Sequence, residues 1–134
     1  MNDLIQESPV HKWFLLLSSL SAFLAVAFGA FGAHGLRGRL DEHMLSVYQT
    51  GVQYHFWHAL GLGLIALLLK LYPDAALLRW AGWLMFAGIL IFSGSLYALS
   101  ISGIAWLGAI TPLGGTAFLI AWLLVAVFAF RMTG

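Results

Sequence analysis

Charged residues divide this chain into long apolar intervals. After Lys12 no Asp, Glu, Lys or Arg occurs until Arg37, none lies between Glu42 and Lys70, and none lies between Arg79 and Arg131. A membrane-spanning helix needs roughly 20 consecutive apolar residues, so the three intervals hold one, one and two crossings. The pattern predicts an all-α polytopic membrane protein: a single domain over 1–134, four transmembrane helices joined by short loops, with spans at about 13–33, 50–69, 76–100 and 112–130.

The punctuation between spans fits that division. Residues 1–11 are polar, with Asp3 and Glu7, and read as a surface tail that Pro9 keeps out of the first helix. Lys12 and Trp13 then supply the cation and aromatic ring that anchor a span at the interface. The two acids and the length of the apolar run argue against a cleaved signal peptide. Gly35 and Gly38 mark a turn, and Asp41 is placed to cap a helix starting at Glu42 whose first turns stand in the interface. Pro73 ends that helix and Asp74 is placed to cap the next. Residues 104–110 are apolar and admit two readings. Either they join one long helix kinked at Pro112, or they form an apolar turn or re-entrant piece before a helix with Thr111 as N-cap and Pro112 at its first position.

Two patterns within the spans carry information. Ser18, Ala22, Ala25, Gly29 and Gly32 step by four and three, so they form one stripe along the first helix and predict a close helix contact, within or between subunits. The stretch 48–63, YQTGVQYHFWHALGLG, brings His55, His58 and Gln53 into a span. Ser93, Tyr97 and Ser100 share one face of the third span. With four crossings, His34, Gln53, His55, His58, Ser93, Tyr97 and Thr111 all fall toward the side of the first and third loops, which predicts a polar cluster in that half of the bundle. Hydroxyls, amides and neutral imidazoles pair across membrane helices for purely structural reasons. Ionisable groups at membrane depth are also the default candidates for a ligand site.

Composition narrows the chemistry. Apolar residues make up 62% of the chain and charged ones 8%, with mean hydropathy +0.95, against roughly a quarter charged in a soluble domain. A net charge of +1 gives no reason to expect nucleic acid, and the absence of cysteine excludes thiolate chemistry. Lys12, Lys70, Arg79 and Arg131 lie on one side, Arg37 and Arg39 on the other, which places both termini in the cytoplasm. His34, His55 and His58 are the candidate metal ligands, but no buried carboxylate accompanies them. A quinone hydrogen-bonded to a histidine and Tyr97, or a haem, are lesser alternatives, and no cofactor is expected. No catalytic constellation is visible, since Asp41 and Glu42 lie in a loop away from Ser93.

The strings FGAFGAHGL, YQTGVQYHFWHALGLGLIAL, FSGSLYAL and ITPLGGTAFLIAW, in that order between Gly29 and Trp122, resemble the YgdD-like family of small bacterial inner-membrane proteins, which has a eukaryotic relative of similar size. The resemblance implies a multi-pass protein of the bacterial inner membrane and brings no activity, substrate or catalytic residue with it. Two functions are then open. The first is a non-enzymatic structural or accessory component that associates with itself, as a homo-oligomer, or with another membrane protein through the stripe of small residues. The second is binding, or transport, of a small ligand, lipid or metal ion in the polar cluster.

Overall fold

The computed structural model describes residues 9–132; the acidic part of the polar tail lies outside them. Four helical spans are present, Val10–Leu36, Glu42–Leu71, Ala76–Ser102 and Ala105–Arg131, each long and apolar enough to cross a bilayer. The first consists of α1 (Val10–Phe31) and a closing π-turn at Gly32–Leu36. Pro9 takes the N-cap position, so His11 is already helical and the tail ends sooner than the charge pattern indicates. Proline suits that position because its missing N–H is not needed before the first turn.

The second span is one unbroken helix, α2 (Glu42–Leu71), started by the Asp41 carboxylate accepting from Met44 N–H at 2.7 Å. It is the hub. In its most apolar stretch 44% of the residues are buried, against 22% in the first span and 17% in the fourth, because α2 touches every other span. The first span lies along it on one side and the third on the other, while the first and third meet each other through a few large side chains, Phe14 against Gly82 and Trp83 and Phe28 against Tyr97. The fourth packs mainly on the third and reaches α2 through Phe118 and Trp122.

The third span is not regular. It runs as α3 (Ala76–Gly88), a π-turn at Ile89–Ser93 and α4 (Gly94–Ser102), with Gly103 at φ +71° closing the end. One inserted residue re-aims the helix at that turn. There Ser93 Oγ donates to the Gly51 carbonyl of α2 at 2.7 Å. On the other side, Gly114 sits so close to Phe92 that a Cβ there would collide with the Phe92 backbone.

Residues 104–110 do not join one long regular helix. A 3-10 turn, Ala105–Ala109, leads into α5 (Thr111–Arg131), and none of its residues is buried. Two expected caps are absent. Thr111 is the first residue of α5 rather than its N-cap, its hydroxyl being engaged by Ser95. Ala75, not Asp74, precedes α3 and offers no side-chain cap.

The apolar core fills the half of the bundle nearer the termini, where Phe14, Leu62, Ile65, Leu78 and Met85 are fully buried. Lipid tails are as apolar as these side chains, so close fit rather than water exclusion holds them together. Gly82 receives the Phe14 ring and Gly61 receives Met85 and Trp122. Gly114→Ala should therefore destabilise the fold by about 1–3 kcal/mol, since backbone cannot turn aside as a side chain can. Gly94→Ala, where a Cβ meets nothing within 4 Å, should be neutral or slightly stabilising. Thermal unfolding of both variants in detergent, followed by tryptophan fluorescence, tests the contrast.

Candidate functional site

The two histidines of α2, although only three residues apart, serve opposite flanks. His58 turns toward α5. Its Nδ1 lies 2.7 Å from the Tyr54 carbonyl and its Nε2 lies 3.0 Å from Trp122 Nε1. A carbonyl only accepts and an indole N–H only donates, so the ring is fixed as the neutral Nδ1–H tautomer. Phe118 stacks on its face with centroids 3.5 Å apart. Both nitrogens are used, and a metal at Nε2 would have to displace the indole.

His55 turns toward the first and third spans. Its Nδ1 lies 2.9 Å from Tyr97 Oη and its Nε2 lies 3.0 Å from Ser21 Oγ. Both partners are hydroxyls that can donate or accept, so, unlike His58, this ring is held in place without its tautomer being dictated. Its surroundings are aromatic, with Tyr97 packed edge-on against Phe28 and tilted against Tyr48. Tyr48 Oη donates to the Phe28 carbonyl at 2.7 Å.

Between the first and third spans, which meet at Phe14–Gly82 and again at Phe28–Tyr97, a cleft of about 360 Å³ opens with His55 behind it. Leu17, Leu20, Leu24, Phe28, Phe86 and Leu90 form its walls, and Ser21, His55, Ser93 and Tyr97 are its polar lining residues. No charged residue lines it.

The remaining expected site residues are dispersed. Ser93 clamps Gly51 as described. Thr111 meets Ser95, oxygen to oxygen at 2.6 Å; Ser95 spends its proton on the Phe92 carbonyl, so Thr111 donates. Gln53 is exposed on the outside of α2, and His34 is exposed in the π-turn ending the first span. The three histidines therefore do not converge, and among the described residues no group of three His, Cys, Asp or Glu side chains is placed to hold a metal. The expected single cluster is instead four separate pairings, of His55, His58, Ser93 and Thr111.

Ser21 lies eight residues beyond Trp13 and Trp122 nine before Arg131, about 12 and 14 Å along helices rising 1.5 Å per residue, so both partners stand well inside a hydrocarbon core of about 30 Å.

The stripe of small residues lies against α2 within the same chain. Ser18 Oγ donates to the Ala59 carbonyl at 2.7 Å, Ala25 is fully buried, Ala22 is half-buried, and Gly29 and Gly32 lie beside Val52 and Tyr48. Residues that pattern reading overlooked include Ser21, Ser95 and Trp122. Trp122 had a legible signal, since tryptophan favours the interfaces and one in mid-span needs an acceptor for its N–H. Ser21 showed only as a hydroxyl three residues after Ser18.

A helical bundle of four apolar spans, pinned by polar pairs at mid-depth, defines a small multi-pass membrane protein. The chain belongs to the family described as "Protein of unknown function (DUF423)", which it matches over residues 28–115. It is 53% identical over 120 residues to the UPF0382 membrane protein YwdK of Bacillus subtilis, covering 90% of this chain and 98% of that one. It is 44% identical over 123 residues to a UPF0382 membrane protein of Staphylococcus aureus, covering 92% and 99%. These designations do not carry the YgdD-like name, and they agree with the resemblance in describing membrane proteins without an assigned activity. No solved structure matches the chain.

The His58 geometry makes a prediction. Nitrogen-15 spectra of histidine-labelled protein in lipid should show one ring as the neutral Nδ1–H tautomer. Trp122→Phe should perturb that ring and cost about 1–3 kcal/mol by leaving a buried acceptor unpaired.

Proposed function

We propose that this protein is a non-catalytic component of the bacterial inner membrane, with both termini in the cytoplasm, that binds a neutral, lipid-soluble molecule in the cleft in front of His55. The observation that carries the reading is the pairing of an apolar, lipid-facing cleft with a histidine whose two partners are both reversible hydroxyls. The lack of charge in the lining favours an uncharged ligand. Hydrocarbon gains little by moving from lipid into an apolar cleft, so selectivity must come from shape and from one hydrogen bond at the floor. A chain or ring bearing a carbonyl or hydroxyl oxygen meets both requirements, since Ser21 or Tyr97 can rotate its proton toward it.

The connectivity Ser21–His55–Tyr97 has the outline of a nucleophile, a base and an orienting group. The third member is a phenol rather than a carboxylate, so it offers no fixed negative charge to stabilise an imidazolium. The backbone N–H groups around Ser21 lie in mid-helix, where the helix ladder uses them and none is left to stabilise an oxyanion. Both features support binding without chemistry. Association through the small-residue stripe loses its support, because α2 occupies it. The excess of cations on the side of the termini supports the orientation.

Organic extraction of protein purified in mild detergent, followed by mass spectrometry, tests the reading. A stoichiometric neutral species should accompany the wild type and fall about tenfold or more in Leu24→Trp, which fills the cleft from an exposed wall position without touching His55. Recovery of bulk phospholipid alone, or equal retention by Leu24→Trp, would contradict it.

A further inference from the structure

The seam between the first span and α2 carries a second feature on a different face from the cleft. Gln49 and Gln53 stand one turn apart on α2, both exposed, and neither side chain hydrogen-bonds to anything among the described residues. Between them and the first span runs a groove of about 400 Å³, lined also by Gly29, Gly32, Ala33, Tyr48 and Val52. Gln53 lies seventeen residues before Lys70, about 25 Å along the helix and so still inside a core of about 30 Å. Hydroxyls exposed elsewhere on the spans bend back to their own helix, as Ser19 does to Leu15, Thr50 to Ser46 and Thr116 to Pro112. The longer carboxamide makes no such return, and an unpaired amide facing lipid is costly.

We infer that this groove is the contact surface between two copies of the chain. A carboxamide carries both a donor and an acceptor, so the same residue on two copies related by a two-fold axis along the membrane normal satisfies itself. Such isologous contacts are the commonest way identical chains pair. Gly29 and Gly32 are taken up by Val52 and Tyr48 of the same chain, so it is the short, exposed side chain of Ala33 beside them that leaves room for the partner's helix. The stripe of the first span is covered from one side by α2, and this groove is what remains open along its edge.

The chain has no cysteine, so a single introduced one reports the contact. Ala33→Cys, exposed in the groove, should give disulfide-linked dimers on mild oxidation in native membranes. Leu113→Cys, exposed at similar depth on α5, should give several-fold fewer. Adding Gln53→Leu to Ala33→Cys should weaken dimerisation about threefold or more, and because Gln53 is exposed the variant should fold normally. Equal cross-linking at the two cysteines, no effect of Gln53→Leu, or a cross-linked species whose mass shows a different protein would each overturn the inference. The cleft plays no part in this test, so its outcome is independent of ligand retention.

Discussion

A histidine carried to the middle of a bilayer must find partners in protein, because the hydrocarbon offers none and an unpaired polar group there costs several kcal/mol. This chain sends two such rings into its second span, and the bundle is arranged around meeting that demand. His58 needs an acceptor for one nitrogen and a donor for the other, which requires α5 to bring Trp122 to its level. His55 needs two hydroxyls, which draws in Ser21 from the first span and Tyr97 from the third. The central position of α2 follows from these requirements together with the packing at its glycines.

Backbone carbonyls of α2 take part in the same scheme. Gly51 and Ala59 accept from Ser93 and Ser18, and these serines can reach a carbonyl that already serves its own helix only where the neighbouring backbone comes near. The π-turn in the third span is the irregularity that lets one helix satisfy Ser93 against α2 while its other side packs against Gly114 of α5. The result is unequal. The side of the bundle between the first and third spans is left unfilled between the Phe14–Gly82 and Phe28–Tyr97 contacts, and the cleft in front of His55 lies there.

Much of this was legible in the chain and some could not be. Charge spacing alone places four spans, since the cost of burying charge in lipid acts on sequence directly, and Asp41 announces the start of α2 by its distance from the apolar run. The break at 104–110 was legible from Gly103 and Pro112, whereas the π-turn at Ile89–Ser93 was hidden, because it depends on contacts with α2 and α5 that local propensity does not record. The convergence of His34, His55 and His58 failed for a related reason. Spacing of three puts two side chains on one face of a helix, but the partners on other helices decide which way each ring turns. Gln53 was grouped with them by depth, whereas its side of α2 faces outward.

The description of an all-α membrane protein with a structural polar interior rests on what His55 touches. A crystal structure grown from a lipidic mesophase, resolved well enough to orient side chains, tests this most directly. It should show the His55 ring between Ser21 and Tyr97 at hydrogen-bond distance, with the His58 ring between the Tyr54 carbonyl and Trp122. A His55 ring turned out to lipid, or paired with a residue of the Glu42 end of α2 instead, would contradict the account.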